Sequence, residues 1–466
     1  MKRIVTQNHL QNLAHNLAES GIPLDLRCGG NGTCGKCRVT LLSGAWEVDG
    51  HEVTPPCDAL ACRTFLLSET GEIEIPETSR AQGSGKILAE WEAEQLPLTP
   101  QTVIAIDIGT TTLVAVKIKD GQVVAKASAY NPQSQLGDNV ITRIQHASQG
   151  KLDILNQMVL DGIQGLLDQV GLDGVERIAV AGNTVMCCLF HKINPESIGY
   201  IPFTPPMRVF PARQDLFGGV TVLTVPCIGG YVGGDLTAGM AIVDLQPGEM
   251  LIDIGTNCEI IYATQAGFFC TAAAAGPAFE GAGLSCGLRA SDGAIDHFFS
   301  DGQFSTIGHL APTGICGSGF VDFLAVQHAQ GLINEVGRYE PKSKSFRIAD
   351  DIVLYEYDIE QLLKAKAAVW AGIKTLENSC GKPAHKIYLA GGFAQYLDLK
   401  NAIAIDMLPN RDYEVVGNTS LAGAAKLACT PECMNDLIRL IDVPQEVSLN
   451  TLPDFEDNYI DGLLLP

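Results

Sequence analysis

The chain has 466 residues, of which 46% are hydrophobic, and its formal net charge is −22 at pH 7. This length and composition exclude a disordered chain and predict two or three domains. The negative charge argues against nucleic-acid binding and against binding to anionic membranes, because both require a basic surface. No segment has the pattern of a signal peptide or a membrane span, so we predict a cytoplasmic protein whose 15 cysteines are thiols or metal ligands.

Residues 1–80 are predicted to form a small α/β domain. Lys2 to Thr6 is a candidate strand. The run Leu10 to Gly21 places its leucines on one helical face and ends in a glycine that suits a C-cap. Five of the 15 cysteines lie between Cys28 and Cys62, which indicates a metal centre in this domain.

Four of these cysteines have the spacing of an iron–sulfur site. Cys28, Cys34 and Cys37 lie in a glycine-rich loop, spaced C-x5-C-x2-C, directly before a predicted strand, and Cys62 follows later. The spacing is a one-residue variant of the plant-type pattern with a distant fourth cysteine, and the glycines free backbone N–H groups for the sulfides. We predict a [2Fe–2S] cluster over a zinc site, because zinc ligands usually come as two separated pairs. Cys57 is the alternative fourth ligand.

Residues 81–100 are predicted to be a linker, flexible at first and then acidic and helical. Beyond it, Val103 to Ile106 and Leu113 to Ile118 are typical of two strands joined by a tight turn that contains an aspartate, a glycine and three threonines. Backbone N–H groups and hydroxyls in such a turn can bind a phosphate, and Asp107 can hold Mg²⁺ directly or through water. The alternative is an ordinary hairpin with a polar turn.

This turn is repeated later in the chain. Leu251 to Tyr262 contains the same Asp-Ile-Gly-Thr sequence, with Asp253 in the place of Asp107. An Ala-Gly element at Ile178 to Thr184 is likewise repeated at Ile387 to Phe393, in the same order. The sequence therefore contains an internal duplication. Two similar α/β halves that face each other would place the turns on opposite walls of one cleft, with the phosphates of a nucleotide and Mg²⁺ between them.

Three further glycine-rich segments are candidates for the cleft. Gly229 to Asp235 leads into a predicted helix, and Gly276 to Arg289 has no regular period. A Gly-Ser-Gly turn precedes the predicted helix Val321 to Gln330, and a helix N-terminus can receive a phosphate or a ribose. Two more helices are predicted, at Ile154 to Val170 and at Gln361 to Leu376.

These motifs resemble the actin and sugar-kinase superfamily of ATPases. The resemblance implies two phosphate loops and a Gly-Gly element that borders the adenosine. Loop one would comprise Asp107, Gly109, Thr110, Thr111 and Thr112, and loop two would comprise Asp253, Gly255, Thr256 and Asn257. The nucleoside side would comprise Gly317, Ser318, Gly319, Gly391, Gly392 and Phe393. Asp107 and Asp253 would be the catalytic residues that hold Mg²⁺ and ATP from opposite walls.

A ferredoxin-like cluster domain joined to an actin-like ATPase is an uncommon pairing. Together with Asn131-Pro-Gln, Gly276-Pro-Ala-Phe-Glu-Gly, Gly314-Ile-Cys-Gly-Ser-Gly and the ending Asp454 to Pro466, it resembles the reductive activators of corrinoid proteins. The resemblance implies an α/β chain with an N-terminal [2Fe–2S] ferredoxin-like β-grasp domain and a duplicated actin-like (ribonuclease H-like) ATPase domain. The usual first hairpin of the ferredoxin fold is absent, so its sheet is predicted to be one strand short, with an open edge.

The implied organisation has five parts. They are a cluster domain (1–80), a linker (81–100), a first ATPase half (101–246), a second ATPase half (247–428) and a C-terminal tail packed on the ATPase domain (429–466). The implied activity uses ATP to transfer a low-potential electron from the cluster to cobalt(II) of a corrinoid methyl-carrier protein, which regenerates cobalt(I). The cofactors would be the cluster, ATP and Mg²⁺. The partners would be that protein and an upstream low-potential electron donor, with no nucleic acid and no membrane. A homodimer is an alternative to a monomer.

Two other functions are alternatives. One is an ATP-driven, electron-donating activator of another low-potential metalloenzyme, such as a dehydratase, although such activators usually bridge a cluster between two ATPase subunits. The other is a redox sensor that binds ATP and a partner without repeated electron transfer. A small-molecule kinase would explain the cleft but leaves the cluster without a purpose.

The loop from Gly276 to Arg289 is a candidate contact for the corrinoid partner. It begins soon after phosphate loop two, so closure around ATP should move it, and Ser285 and Cys286 lie where small polar side chains could approach the metal of the acceptor. The alternative is that this loop only closes over the nucleotide.

Overall fold

A computed structural model describes residues 1–6, 11–20, 22, 24, 32, 35–76, 79, 99–137, 139–340, 342–349 and 352–466. Two predicted cluster ligands, Cys28 and Cys34, and most of the predicted linker lie outside these described residues. Leu10 and Gly21, the predicted ends of the first helix, also lie outside them. Within the described part of the chain, no helix is long and apolar enough to cross a membrane.

The N-terminal region consists of two small antiparallel sheets and a helix. Its strands are β1 (Lys2–Thr6), β2 (Arg38–Ser43), β3 (Trp46–Val48), β4 (His51–Val53), β5 (Cys57–Leu60), β6 (Thr64–Leu66) and β7 (Thr70–Glu74), and its helix is α1 (Leu13–Glu19). The sheet orders are β1-β7-β2-β5 and β4-β3-β6. Leu13 and Leu17 of α1 pack with Val39 and Leu41 of β2 in one apolar core, which confirms the predicted helical face. β1 lies at a sheet edge and is mostly exposed.

The next region forms a five-stranded sheet covered by helices. Its strands are β8 (Thr102–Ile108), β9 (Thr112–Lys119), β10 (Gln122–Tyr130), β11 (Val175–Ala181) and β12 (Thr221–Thr224). Its helices are α2 (Val140–His146), α3 (Leu152–Val170), α4 (Thr184–Phe190) and α5 (Gly234–Ile242). The order is β10-β9-β8-β11-β12, in which β8–β10 are antiparallel neighbours and β8, β11 and β12 run parallel. α3 includes the predicted helix Ile154 to Val170.

The remaining region contains a six-stranded sheet, a three-stranded sheet and a two-stranded sheet, which together comprise eleven strands of the described residues. Its strands are β13 (Glu249–Ile254), β14 (Cys258–Thr264), β15 (Gly267–Ala273), β16 (Ala294–Phe298), β17 (Phe304–Thr306), β18 (Gly314–Ile315), β19 (Ser345–Ala349), β20 (Ile352–Tyr355), β21 (Lys386–Ala390), β22 (Asp412–Gly417) and β23 (Gln445–Glu446). Its helices are α6 (Gly317–Ala329), α7 (Glu356–Cys380), α8 (Leu399–Ala404), α9 (Thr419–Cys429), α10 (Met434–Leu440) and α11 (Phe455–Gly462).

The two large sheets have the same topology. The second has the order β22-β21-β13-β14-β15-β23, in which β13–β15 are antiparallel and β13, β21 and β22 run parallel. Apart from β23, every strand of the second sheet therefore has a counterpart in the first. The predicted duplication is confirmed at the level of strand order and direction.

Two predicted helices are longer in the structure than in the sequence pattern. α6 starts at Gly317, so the Gly-Ser-Gly turn forms its first turn rather than preceding it. α7 runs from Glu356 to Cys380, because Tyr355 and Asp358 form a capping box at its start and Gly381 adopts a left-handed conformation at its end. The hydrophobic period alone did not show these ends, since caps are set by polar and glycine residues.

One helix packs across the duplication. α9 follows β22 in the chain, yet its Leu421 and Ala424 pack with Val103 and Val116 of the first sheet. Gly423 allows this packing, because a Cβ atom there would lie 2.3 Å from the Cβ of Ala238 in α5. The contact brings the N-terminal end of α9 next to the end of β8.

Candidate functional site

The first predicted phosphate loop is a tight turn between β8 and β9. The N–H of Gly109 donates to the carbonyl of Thr112 (3.0 Å) and closes the turn. A Cβ atom at Gly109 would lie 2.6 Å from that same carbonyl oxygen, so a larger residue would open the turn. Asp107 lies near the end of β8, paired with Val114 of β9 and with Ala181 of β11.

Buried polar side chains of the same half hold loop one in place. Asn131 donates to the carbonyl of Gly109 (2.9 Å), and Asn183 donates to the hydroxyl of Thr110 (3.0 Å). Arg143, fully buried, donates to the carbonyl of Thr110 (2.5 Å). The Asn131-Pro-Gln motif therefore acts in the structure as a support of this turn. Arg143 and Asn183 were not predicted, because they are far from the turn in the sequence.

The second predicted phosphate loop is a shorter turn between β13 and β14. The N–H of Gly255 donates to the carbonyl of Asn257 (2.8 Å). Asp253 pairs with Glu259 of β14 and with Ala390 of β21, so it occupies the position in the second sheet that Asp107 occupies in the first. Gly391 follows β21 with a φ of +95°, and a Cβ atom there would lie 2.6 Å from Oδ1 of Asp253.

Both loops line one cleft, as the duplication predicts. The predicted residues in its walls are Asp107, Gly109, Thr110, Thr111, Thr112, Asp253, Gly255, Thr256, Asn257, Gly317, Ser318, Gly391, Gly392 and Phe393. Gly319 is the exception: it does not line the cleft, because it packs against β16, where a Cβ atom would lie 2.4 Å from the carbonyl oxygen of Ile295. Its glycine is explained by helix packing rather than by ligand contact.

Four carboxylates that influence one another's pKa line the cleft. Besides Asp107 and Asp253, they are Asp235 at the start of α5 and Glu259 of β14. Burial raises the pKa of Asp253 to about 7, and the charges of Asp235 and Asp107 add to the rise. Burial likewise raises the pKa of Asp235 to about 6 and raises that of Glu259. Such mutual repulsion favours a divalent cation at this place.

Asp107 differs from the other three because α9 supports it. Asn418 donates to Oδ2 (2.9 Å) and Ser420 donates to Oδ1 (2.7 Å). Burial raises the pKa of Asp107, and these two hydrogen bonds oppose the rise by stabilising the anion. Neither residue was predicted from the sequence. The one local signal is that Asn418 precedes an apolar helical run and caps α9 by accepting from the N–H of Leu421.

A glutamate bridges the two phosphate loops across the cleft. Thr111 of loop one donates to Oε2 of Glu280 (2.5 Å), and Thr256 of loop two donates to Oε1 (2.9 Å). Arg289 lies in the same cleft, with its guanidinium 4.2 Å from the ring centre of Tyr130. Neither the role of Glu280 nor that of Arg289 was predicted from the sequence, since no local pattern shows which side chains of an irregular loop reach a cleft.

The side of the cleft expected to receive adenosine is aromatic. The rings of Phe393 and Phe279 stack with centres 5.1 Å apart and an angle of 17° between their planes. Gly317 lies beneath them, and a Cβ atom there would lie 2.8 Å from the Phe393 ring. A flat apolar surface beside Gly391 and Gly392 suits a purine ring.

The carboxylates fit a magnesium ion that is shared with a nucleotide. Within the described ranges, no group of three or more His, Cys, Asp or Glu residues is arranged to hold a metal ion by itself. Mg²⁺ ordinarily binds through one or two carboxylates, water and substrate phosphates rather than through a protein cage. Asp107 and Asp253 on opposite walls match that mode of binding.

The described part of the predicted cluster site is compact. Cys37 and Cys62 are both buried, and the N–H of Ala61, next to Cys62, donates to the carbonyl of Cys37 (2.9 Å). Cys57 pairs with Leu41 of β2, and Leu41 lies four residues beyond Cys37, which directly precedes this strand. At the usual rise of a strand, Cys57 is therefore displaced from Cys37 by about 13 Å along the strand direction. This arrangement supports Cys62 rather than Cys57 as the fourth ligand.

Comparisons with known proteins agree with this architecture. A model of the 2Fe-2S iron-sulfur cluster binding domain matches residues 2–67. A model of the RACo middle region matches residues 102–247, and a model of the C-terminal domain of RACo, the ASKHA domain, matches residues 248–466. The chain belongs to the RACo family. These matches confirm the family resemblance and the predicted [2Fe–2S] and ATP cofactors.

Similar proteins cover nearly the whole chain. The "Corrinoid activation enzyme RamQ" of Eubacterium limosum is 26% identical in an alignment that covers 95% of this chain and 94% of that protein. A "[Co(II) methylated amine-specific corrinoid protein] reductase" of Methanosarcina barkeri is 27% identical, with 72% of each chain covered. The solved structure of a reductive activator for a corrinoid, iron-sulfur protein has a TM-score of 0.74 at 27% identity and covers 99% of this chain and 96% of that chain.

That structural match confirms the predicted fold class. The roles of individual site residues, and the boundaries of the predicted domains, stay predictions.

Proposed function

We propose that this RACo-family chain is an ATP-dependent reductive activator of a corrinoid methyl-carrier protein. It transfers a low-potential electron to cobalt(II) of that protein and regenerates cobalt(I). The observation that carries the proposal is the presence, in one chain, of a [2Fe–2S] domain and a cleft with two opposed phosphate loops. The names of the similar proteins support a corrinoid protein as the acceptor.

The two cofactors answer one energetic problem. When bound, the cluster supplies one electron at a potential of about −400 mV for the plant type, and it is re-reduced by an upstream donor. Each tenfold disadvantage in a one-electron transfer corresponds to about 59 mV, so an acceptor of lower potential is reduced only rarely. Binding of ATP can offset this disadvantage if it favours a state of the complex in which the acceptor takes the electron more readily.

In the ATPase domain, the two halves hold the nucleotide from opposite walls. Loop one and loop two bind its phosphates, and Asp107 and Asp253 hold Mg²⁺. The aromatic side near Phe393 receives the adenosine, and Gly317 and Ser318 lie on the same side. Arg289 is a cation within the cleft and is available to the phosphate groups. These roles follow from the resemblance together with the position of each residue in the cleft.

In the cluster domain, the ligands are Cys28, Cys34, Cys37 and Cys62. Replacing Cys62 by Ala is expected to abolish or badly disturb the cluster, whereas Cys57→Ala leaves it intact. Iron analysis and visible spectra of the two variants, both prepared without oxygen, decide the assignment. The reverse pattern, with the cluster lost in Cys57→Ala and kept in Cys62→Ala, contradicts it.

The loop from Gly276 to Arg289 is the proposed contact for the corrinoid partner. It contains Glu280, which reaches both phosphate loops, and it ends at Arg289 in the cleft. Nucleotide and partner would therefore act on the same loop of 14 residues. Replacing both Ser285 and Cys286 by Ala should lower cobalt reduction while ATP hydrolysis survives; loss of nucleotide affinity would instead assign the loop to ATP.

Further parts of the proposal concern the organisation of the protein. The domains are the cluster domain (1–80), the linker (81–100), the two ATPase halves (101–246 and 247–428) and the tail (429–466). The protein works in the cytoplasm with a separate low-potential electron donor, and a homodimer is an alternative to a monomer.

The decisive experiment is anaerobic mixing of the protein with ATP, a strong reductant and a corrinoid methyl-carrier protein in the cobalt(II) state. The expected result is the cobalt(I) absorption spectrum, formed over many cycles per activator and only when ATP is present. A single substoichiometric turnover would favour the redox-sensor alternative. Absence of cobalt(I) formation, with cluster and ATP both bound, would overturn the proposal.

A further inference from the structure

A short edge of backbone carbonyls lies beside β18. Gly287 forms an isolated parallel bridge with Ile315. The carbonyl of Cys286 accepts from the N–H of Ile315 (2.9 Å), and the N–H of Leu288 donates to the carbonyl of Ile315 (2.8 Å). Since carbonyls alternate in direction along an extended chain, the carbonyls of Ser285 and Gly287 point away from β18. Residues 285–287 are called here the carbonyl edge.

The side chain that meets this edge comes from the N-terminal domain. Lys36 donates from Nζ to the carbonyl of Ser285 (3.2 Å) and to that of Gly287 (3.1 Å). These contacts span 249 and 251 residues of sequence. Lys36 lies between two of the predicted cluster ligands and directly precedes Cys37. The contact therefore joins the cluster-bearing loop to the proposed partner loop.

The carbonyl edge is held firmly and has an acidic residue behind it. The carboxylate of Asp358, fully buried at the start of α7, accepts from the N–H (2.8 Å) and the hydroxyl (3.1 Å) of Ser285. Burial and the charge of Asp358 raise the pKa of the Cys286 thiol to about 12, and the charge of Lys36 opposes the rise. The negative charge of Asp358 and the positive charge of Lys36 thus both lie close to Cys286, and their opposite signs favour the contact.

Glycines shape the edge for a close approach. A Cβ atom at Gly287 would lie 2.2 Å from the carbonyl oxygen of Gly281, and one at Gly281 would lie 2.2 Å from that of Leu288. The backbone at Gly281 therefore packs directly against the backbone at Gly287 and Leu288. This packing sets the positions of the two outward carbonyls, so that one ammonium group reaches both.

We propose that the carbonyl edge, residues 285–287, is the docking surface for the cluster-bearing loop of the same chain, with Lys36 as the contact residue. The inference rests on the proposed function, which assigns the loop around this edge to the corrinoid partner. Docking brings Lys36 and the adjacent ligand Cys37 to the place where the acceptor arrives. One electron leaves the reduced cluster domain and reduces cobalt(II) to cobalt(I), and the upstream donor returns one electron.

The contact is tested first without any partner. Lysines of the anaerobic, cluster-loaded protein are labelled with a limiting amount of acetic anhydride, and the labelling is read by mass spectrometry. Lys2, exposed on β1 of the same domain, is the internal control. We expect Lys36 to react at least about fivefold more slowly than Lys2 in the folded protein and equally fast in urea, because two hydrogen bonds hold its ammonium group. Equal labelling rates of Lys36 and Lys2 in the folded protein would overturn the proposed docking.

The second test compares two variants that remove the same charge from the same domain. Lys36→Met is expected to slow cobalt(I) formation about tenfold, while iron content, visible spectrum and ATP hydrolysis stay at wild-type values. Lys2→Met is expected to behave as wild type. Equal rates in the two variants would overturn the proposal. If the wild-type protein forms no cobalt(I), the proposed function fails, and the labelling experiment still decides the proposed docking by itself.

Discussion

The two ATPase halves share their strand order but support their aspartates in different ways. Asp107 receives hydrogen bonds from Asn418 and Ser420, so both of its oxygens have donors. Asp253 occupies the equivalent position in the second sheet, and among the described residues no donor forms a hydrogen bond with its carboxylate. The duplicated sequence motif therefore does not imply a duplicated environment.

The two phosphate loops also differ in the hydrogen bonds that hold them, and loop one again has more of them. Loop one is held by Asn131, Arg143 and Asn183, which are buried side chains of its own half. Thr256 of loop two instead donates to Glu280, which also receives a hydrogen bond from Thr111. Loop one therefore has supports from its own half, whereas the hydrogen bond from Thr111 to Glu280 joins the two halves and can change when a nucleotide enters. Pre-organised contacts assist catalysis, whereas contacts that can change allow the cleft to close around a ligand.

The largest expected effect tests whether both aspartates are required despite this difference. Asp107→Ala and Asp253→Ala should each lower ATP hydrolysis at least about a hundredfold, because each removes a ligand of the shared Mg²⁺. The visible spectrum of the cluster should be unchanged in both. Asp161→Ala, on the exposed face of α3, is the control for charge removal. Hydrolysis at the wild-type rate in either cleft variant would show that the two walls are not equivalent in function.

An intermediate effect concerns the glutamate that bridges the halves. In the nucleotide-free protein, Glu280 accepts hydrogen bonds from two hydroxyls that the proposal assigns to phosphate binding, and its negative charge repels a phosphate. Glu280→Gln should therefore tighten ATP binding about tenfold, or about 1.4 kcal/mol. Isothermal titration calorimetry of the anaerobic protein measures this change.

The matched control is Glu176→Gln on an exposed position of β11, which should leave ATP affinity unchanged. A different result is informative about Glu280. If its variant binds ATP as the wild type does but hydrolyses it far more slowly, the carboxylate acts on the attacking water instead of competing with the phosphates.

The comparison also shows which features the sequence could predict. The strands and turns around Asp107 and Asp253 were found because each lies in a short apolar–polar–apolar pattern that depends only on neighbouring residues. The supports of Asp107 were not found, because Asn418 is 311 residues away and reaches it only when α9 packs on the first sheet. Gly319 was assigned to the ligand from its motif, although the structure uses it for packing against β16.

The cluster domain illustrates the same limit. The cysteine spacing predicted the cofactor, since the ligands lie in one loop and one later turn. The contact between Lys36 and the loop around Ser285 has no local pattern, because a single lysine and two backbone carbonyls are common in any sequence. Chemistry carried by compact motifs could thus be predicted, whereas contacts between distant segments required the fold.

The smallest expected effect tests the environments of the two aspartates directly, through stability without nucleotide. Burial holds the pKa of Asp253 at about 7, above its ordinary value of 3.8, so the folded state binds more protons than the unfolded state between these pH values. The carboxylate therefore costs no stability below about pH 4, and the cost grows as the pH rises and is complete above pH 7. Asp253→Asn should raise the free energy of unfolding by at least about 1 kcal/mol at pH 8, out of the roughly 4 kcal/mol that a pKa shift of this size represents, and by almost nothing at pH 4.

Asp107→Asn is the matched comparison for this measurement. Its carboxylate is also buried, but hydrogen bonds from Asn418 and Ser420 stabilise the anion and oppose the rise of its pKa. Neutralising it should therefore give a smaller gain at pH 8 than neutralising Asp253, and the loss of charge-assisted hydrogen bonds should turn the gain into a loss if these bonds dominate. Urea unfolding of the wild type and both variants at pH 4 and pH 8, in the presence of a chelator, measures the difference. An equal gain in the two variants would mean that α9 gives Asp107 no electrostatic support, and the contrast between the halves would then be one of geometry alone.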